Sequence, residues 1–135
     1  MRIIGLDWGE ARVGVSVSDP LGITAQPLIT LENNAELIGK LTDLVKKYDA
    51  NEIVLGYPKQ MNGEPGIAAS KVRTFYEKLS REIPMKITLW DERLTTKIAQ
   101  RASSIMGASI KKKKSFIDAA TAGIILQSYI DLKKP

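Results

Sequence analysis

The chain has 135 residues, 44% of them hydrophobic and 26% charged, with a net charge of +5 and neither Cys nor His. That size and balance suit one globular domain over residues 1–135, and no apolar run approaches the roughly 20 residues that a membrane span needs. Lacking His and Cys, the chain has no access to the commonest general base, the thiol nucleophile or the usual zinc ligands, so catalysis would fall to Asp, Glu, Lys, Tyr, Ser or Thr.

Residues 2–7 and 12–18 predict two strands joined by the short connection Trp8-Gly9-Glu10-Ala11. In the second, Val13, Val15 and Val17 alternate with Gly14, Ser16 and Ser18, the period of a half-buried strand. An acid at Asp7 comes too early for a secretory leader, so a cytoplasmic protein with no membrane partner is expected. The turn Asp19-Pro20-Leu21-Gly22 leads to a third strand over 24–31. The period then lengthens: Leu37, Ile38, Leu41, Leu44 and Val45 share one face of a helix over 35–48. A short apolar strand over 52–56 follows, buried on both faces, then a Pro/Gly/Asn loop over 57–65. A helix over 66–81 carries Val72, Phe75, Tyr76 and Leu79, and Pro84 separates it from a strand over 86–90. The remainder predicts a helix over 94–106, a Gly/Lys loop over 107–114 and a helix over 116–132.

A three-strand meander followed by helix, strand, helix and strand makes an α/β fold with a mixed five-stranded sheet. Three strands are antiparallel, and two enter by right-handed parallel crossovers. Strand 1 sits centrally beside the first crossover strand. Ligands of such sheets gather at the carboxyl ends of the parallel strands, and Asp7, Asp91 and Glu92 all fall there.

Each acid has an ordinary reading beside a chemical one. Asp7 closes an apolar strand, where a carboxylate either binds its own backbone in a turn or meets a cation. Asp91 and Glu92 end one strand and open a helix, so one can cap it and the other can favour its dipole. Because neighbouring strand residues face opposite ways, at most one of the two meets Asp7; Glu92 is preferred, with Asp91 in reserve as a ligand. Asp118, three residues after Ser115, taken alone suits a capping box. The small residues Ala119, Ala120, Ala122 and Gly123 after it would let that helix approach the sheet closely. Together the acids suit two-metal phosphodiester chemistry, in which carboxylates from separate segments hold Mg²⁺ ions about 4 Å apart and no His is needed.

Charge is unevenly spread. Residues 1–92 carry 11 basic and 13 acidic side chains, whereas residues 93–135 carry 9 basic and 2 acidic, a balance of +7. A basic C-terminal third points to a polyanion partner or else to a solvated Lys-rich face. Lys111, Lys112, Lys113 and Lys114 suit a clamp on a nucleic-acid strand, while the few aromatics form no stacking platform.

Four ordered segments resemble the YqgF family of bacterial proteins, regarded as candidate Holliday junction resolvases or pre-16S rRNA nucleases. These are Gly5-x-Asp7-x-Gly9-x-x-Arg12-x-Gly14-Val15 with Ser18-Asp19; Gly56-x-Pro58 with Asn62-Gly63 and Gly66; Asp91-Glu92-Arg93-Leu94-Thr95-Thr96; and Lys114-Ser115-x-Ile117-Asp118-x-Ala120 with Ile125-Leu126-Gln127. The resemblance spans nearly the whole chain and implies a ribonuclease H-like fold. It also implies catalytic, metal-holding carboxylates at Asp7, Glu92 and Asp118, with Arg12 and Arg93 near them to bind phosphate and the 57–66 loop flanking the cleft. Trp8, Tyr57, Gln60 and Asn62 depart from the family's usual residues without touching those acids.

The expected protein is a Mg²⁺-dependent nuclease, with Mn²⁺ as substitute, acting on structured nucleic acid. Maturation of the 16S rRNA precursor is preferred to resolution of branched DNA, because no dimerisation stripe is evident and a monomer or weak homodimer is expected. A nucleotide-binding protein of the actin or sugar-kinase type would need two such domains. A binding module without catalysis would gain nothing from three acids facing a polyanion.

Overall fold

The computed structural model describes residues 2–58, 66–91 and 110–133, the last stretch with side chains from 118 onward. Its strands are β1 (Arg2–Trp8), β2 (Arg12–Ser18), β3 (Ala25–Glu32), β4 (Ala50–Tyr57) and β5 (Lys86–Asp91), and its helices α1 (Leu37–Lys47), α2 (Ile67–Glu82) and α3 (Ile110–Lys133). The strands form a five-stranded sheet in the order β3-β2-β1-β4-β5. β1 pairs antiparallel with β2 and parallel with β4; β2–β3 is antiparallel and β4–β5 parallel. The expected meander, the parallel crossovers and the central place of strand 1 are therefore all present.

Strand alternation divides the core into two layers. Ile4, Leu6, Val13, Val15, Ile53 and Leu55 pack under Leu37 and Leu41 of α1 and Val72, Phe75 and Leu79 of α2. On the other face Val54 packs against Ile125, Leu126, Tyr129 and Ile130 of α3. β1 is buried on both sides, which is why its sequence is an unbroken apolar run up to Asp7. β3 is one of the two edge strands, and its Pro27 stands opposite Ser16 where the ladder shifts register, a place that needs no backbone donor.

The elements differ from expectation in three places. Trp8 belongs to β1, where its ring meets Phe75, so the hairpin connection is residues 9–11 alone. β4 runs longer than the apolar stretch suggested, starting at Ala50 directly after Asp49, whose φ of 52° ends α1 in the left-handed conformation. The third difference bears on function. Lys111 to Lys114 do not form a loop but lie within the opening turns of α3, and Ser115 is not its cap. Lys is a good helix former, and residues 108–122 contain no Gly or Pro to interrupt the helix. Ser caps only from a non-helical backbone, so the capping-box explanation of Asp118 falls away. The helix expected over 94–106 lies outside the described residues.

Candidate active site

The β1–β2 hairpin presents Asp7 and Arg12, and two tethers hold its loop. The Asn33 side-chain amide donates to the Gly9 carbonyl at 2.7 Å, and the Asn33 backbone N–H donates to the Ala11 carbonyl at 3.0 Å. Lys71 of α2 pairs with Glu10 at the tip. Sequence reasoning gave Asn33 no role; the pair Asn33-Asn34 after a strand signals a turn, but its partner on another hairpin is a tertiary fact.

Asp7 and Asp118 lie beside the same glycine. Asp7 stands directly opposite Gly14 in the β1–β2 register. A Cβ added to Gly14 would lie 1.8 Å from the Asp118 carbonyl oxygen and 2.9 Å from the Ala119 nitrogen, so only glycine lets α3 rest there. Gly5 does the same further along α3, where a Cβ would meet Leu126 and the Ala122 carbonyl. The Ser16 hydroxyl, on the same face, donates to the Ala122 carbonyl at 2.7 Å. Gly5, Asp7 and Gly14 share the α3 face, whereas Ile4, Leu6 and Trp8 share the other. The two carboxylates therefore belong to one end of one face, both partly exposed.

Arg12 completes the described portion of the site. Its Nε donates to Asp118 Oδ2 at 3.0 Å, across a sequence separation of 106 residues. Asp91 is placed differently. Trp90 faces α3, donating from Nε1 to the Ser128 hydroxyl at 2.9 Å and meeting Tyr129 edge-on, so alternation turns Asp91 to the α1–α2 face. Glu92, Arg93, loop residues 59–65 and the side chains of Lys111, Lys112, Lys113 and Lys114 lie outside the described residues. Oxygen donors from separate elements, with no His or Cys in the chain, suit a hard divalent cation such as Mg²⁺. Among the described residues alone, no three acids form a metal-sized group.

The same face carries a second charged cluster at its far end. Glu52 on β4 is only 5% exposed, yet it accepts from the Tyr129 hydroxyl and from Thr88 Oγ1 at 3.0 Å. Lys133 lies 3.5 Å and Lys86 3.6 Å from its carboxylate. Burial by itself would raise the Glu52 pKa, but the hydrogen bonds from Tyr129 and Thr88 and the charges of Lys133 and Lys86 outweigh it and hold the carboxyl below its ordinary value. This cluster fastens the C-terminal end of α3, as the glycines seat its Asp118 end.

Residues 1–132 match the family model described as RuvX: Holliday junction resolvase. The chain belongs to this family, the YqgF family that its motifs resembled. A candidate pre-16S rRNA nuclease of Clostridium acetobutylicum is 44% identical over 133 residues, covering 97% of this chain and 98% of that one. One from Bacillus thuringiensis (strain Al Hakam) is 42% identical over 137 residues, covering 98% and 100%. Among solved structures, Thermus thermophilus RuvC in complex with a Holliday junction substrate has a TM-score of 0.57 at 11% identity, covering 98% of this chain and 95% of that one. Fowlpox virus resolvase with Holliday junction DNA has a TM-score of 0.54 at 14% identity, covering 99% and 100%. These likenesses and the sheet order establish the ribonuclease H-like fold of this RuvX/YqgF family member. No helix among the described residues is long and apolar enough to cross a membrane.

Proposed function

We propose that this chain is a divalent-metal-dependent nuclease that hydrolyses phosphodiester bonds in structured nucleic acid, with the 16S rRNA precursor as its substrate. The observation that carries the proposal is the placement of Asp7 and Asp118 beside the same residue, Gly14, at one end of the α3 face, made possible by the bare backbone of that glycine. The names of the curated relatives support the rRNA substrate. The family description, and the junctions bound to structures of like fold, favour branched DNA as the second reading.

In this reading Asp7, Glu92 and Asp118 hold Mg²⁺, for which Mn²⁺ can substitute. The turn of Asp91 to the α1–α2 face supports Glu92 as the acid of that pair facing the site. A bound ion would activate water and stabilise the leaving oxygen. Arg12 and Arg93 present guanidinium groups that match phosphate with two parallel donors. Lys111, Lys112, Lys113 and Lys114, in the opening turns of α3 before Asp118, supply positive charge for the flanking backbone.

The test uses a labelled 16S rRNA precursor fragment and a labelled four-way DNA junction side by side, each with Mg²⁺, Mn²⁺ or EDTA. Metal-dependent cutting of the precursor by wild type, lost in Asp7→Asn, is the expected result. Cutting of the junction alone selects the second reading. Binding of both without cutting of either defeats the nuclease reading for these substrates.

A further inference from the structure

A carboxylate placed for a cation needs an answering charge, and here Asp118 finds one within the chain. Arg12 opens β2 on the α3 face, and its Nε donates to Asp118 Oδ2 at 3.0 Å. The Arg12 side chain is 39% exposed and that of Asp118 is 26% exposed, so the pair can separate without stranding either charge in the core. Directly across the ladder from Arg12, and on the same face, stands the exposed acid Glu32 on β3, which offers the guanidinium a second negative neighbour. The hairpin backbone under Arg12 is tied by Asn33 and by the Lys71–Glu10 pair, so the movement falls to the side chain.

We propose that Arg12 and a divalent cation compete for Asp118, and that cation binding hands the guanidinium over to a phosphate of the nucleic acid. Arg12 is thus a positioning residue that holds Asp118 in place until the cation takes the oxygen over. The inference rests on the metal-nuclease reading. A cation that occupies Asp118 frees a phosphate donor, and a phosphate that engages Arg12 frees a cation ligand. Linkage then requires each to tighten the other by the same factor.

The test is Mn²⁺ binding by isothermal titration calorimetry, without nucleic acid, to the full chain and to Arg12→Gln, Arg12→Met and Asp118→Asn. Circular dichroism melting shows which variants are folded. Both Arg12 variants are neutral and of similar reach, so either one suffices. Competition predicts that loss of the guanidinium tightens Mn²⁺ binding about fivefold, the size of one partly exposed ion pair plus relief of like charge. Their cleavage of the labelled substrate should nevertheless fall. Mn²⁺ affinity that is unchanged or weaker in the Arg12 variants, with Asp118→Asn weakened, overturns the competition and leaves the metal centre standing. Equal Mn²⁺ affinity in Asp118→Asn and wild type overturns both together.

Discussion

At the residue scale, the consequential side chains are charges placed where each needs a partner. Asp7 is the next-to-last residue of β1, a strand buried on both faces, and sits across from the glycine that seats α3. Asp7→Asn keeps the shape and removes the charge, so cleavage should fall about a hundredfold or more while the melting temperature holds, as single-turnover assays and calorimetry would show. Glu52 is a different kind of acid, buried for structure. Its Tyr129 and Thr88 donors and two lysines favour the ionised form, so its folded pKa lies below the ordinary value of 4.5. A depressed pKa contributes stability that is fully present above about pH 4.5 and is lost as pH falls through the lower folded value. Glu52→Gln should therefore cost about 1–3 kcal/mol at neutral pH and flatten the acid limb of the stability curve. Urea titrations between pH 3 and 7 would check both.

Among the elements, α3 decides the site. It lies along β1 and β2 with Ala119, Ala122, Leu126 and Ile130 buried at helical spacing, and two glycines on the strands admit it. Because a Cβ at residue 14 would meet backbone rather than a yielding side chain, Gly14→Ala must push α3 off the sheet. The expected cost is about 3 kcal/mol in chemical denaturation, with loss of cleavage because Asp118 moves with the helix. Gly39, within α1, is the natural contrast, since a Cβ there would meet nothing within 4 Å. Gly39→Ala should stabilise the protein by about 0.5–1 kcal/mol and leave cleavage unchanged. Opposite signs for two Gly→Ala changes would separate close approach from helix propensity.

For the whole molecule, the proposed function gives the charge asymmetry a testable consequence. Residues 93–135 carry 9 basic against 2 acidic side chains. Nucleic-acid binding should weaken steeply with salt as counterions are released, and the log–log slope counts the phosphates engaged. Replacing Lys111, Lys112, Lys113 and Lys114 by Ala should reduce that slope by about one for each phosphate no longer engaged. Fluorescence anisotropy across a salt series would measure it, and an unchanged slope would make the lysine run a solvated face only.

The sequence by itself determined the alternation of β2, the helical faces of α1 and α2, and the central β1, because periods of 2.0 and 3.6 and the crossover rule are local or nearly so. Its motifs determined the family and singled out Asp7, Glu92 and Asp118 as candidate site residues. Sequence could not decide that Lys111 to Lys114 begin a helix, since a Gly-bounded lysine run fits loop or helix until packing chooses. Nor could it show that Glu52, within an apolar strand, is a buried ion held by residues 77 and 81 positions away. Only the tertiary structure brought Arg12 to Asp118 across 106 residues and set Asp118 over Gly14. Those contacts depend on how closely a helix can approach a sheet, a property of two surfaces together that neither segment carries alone.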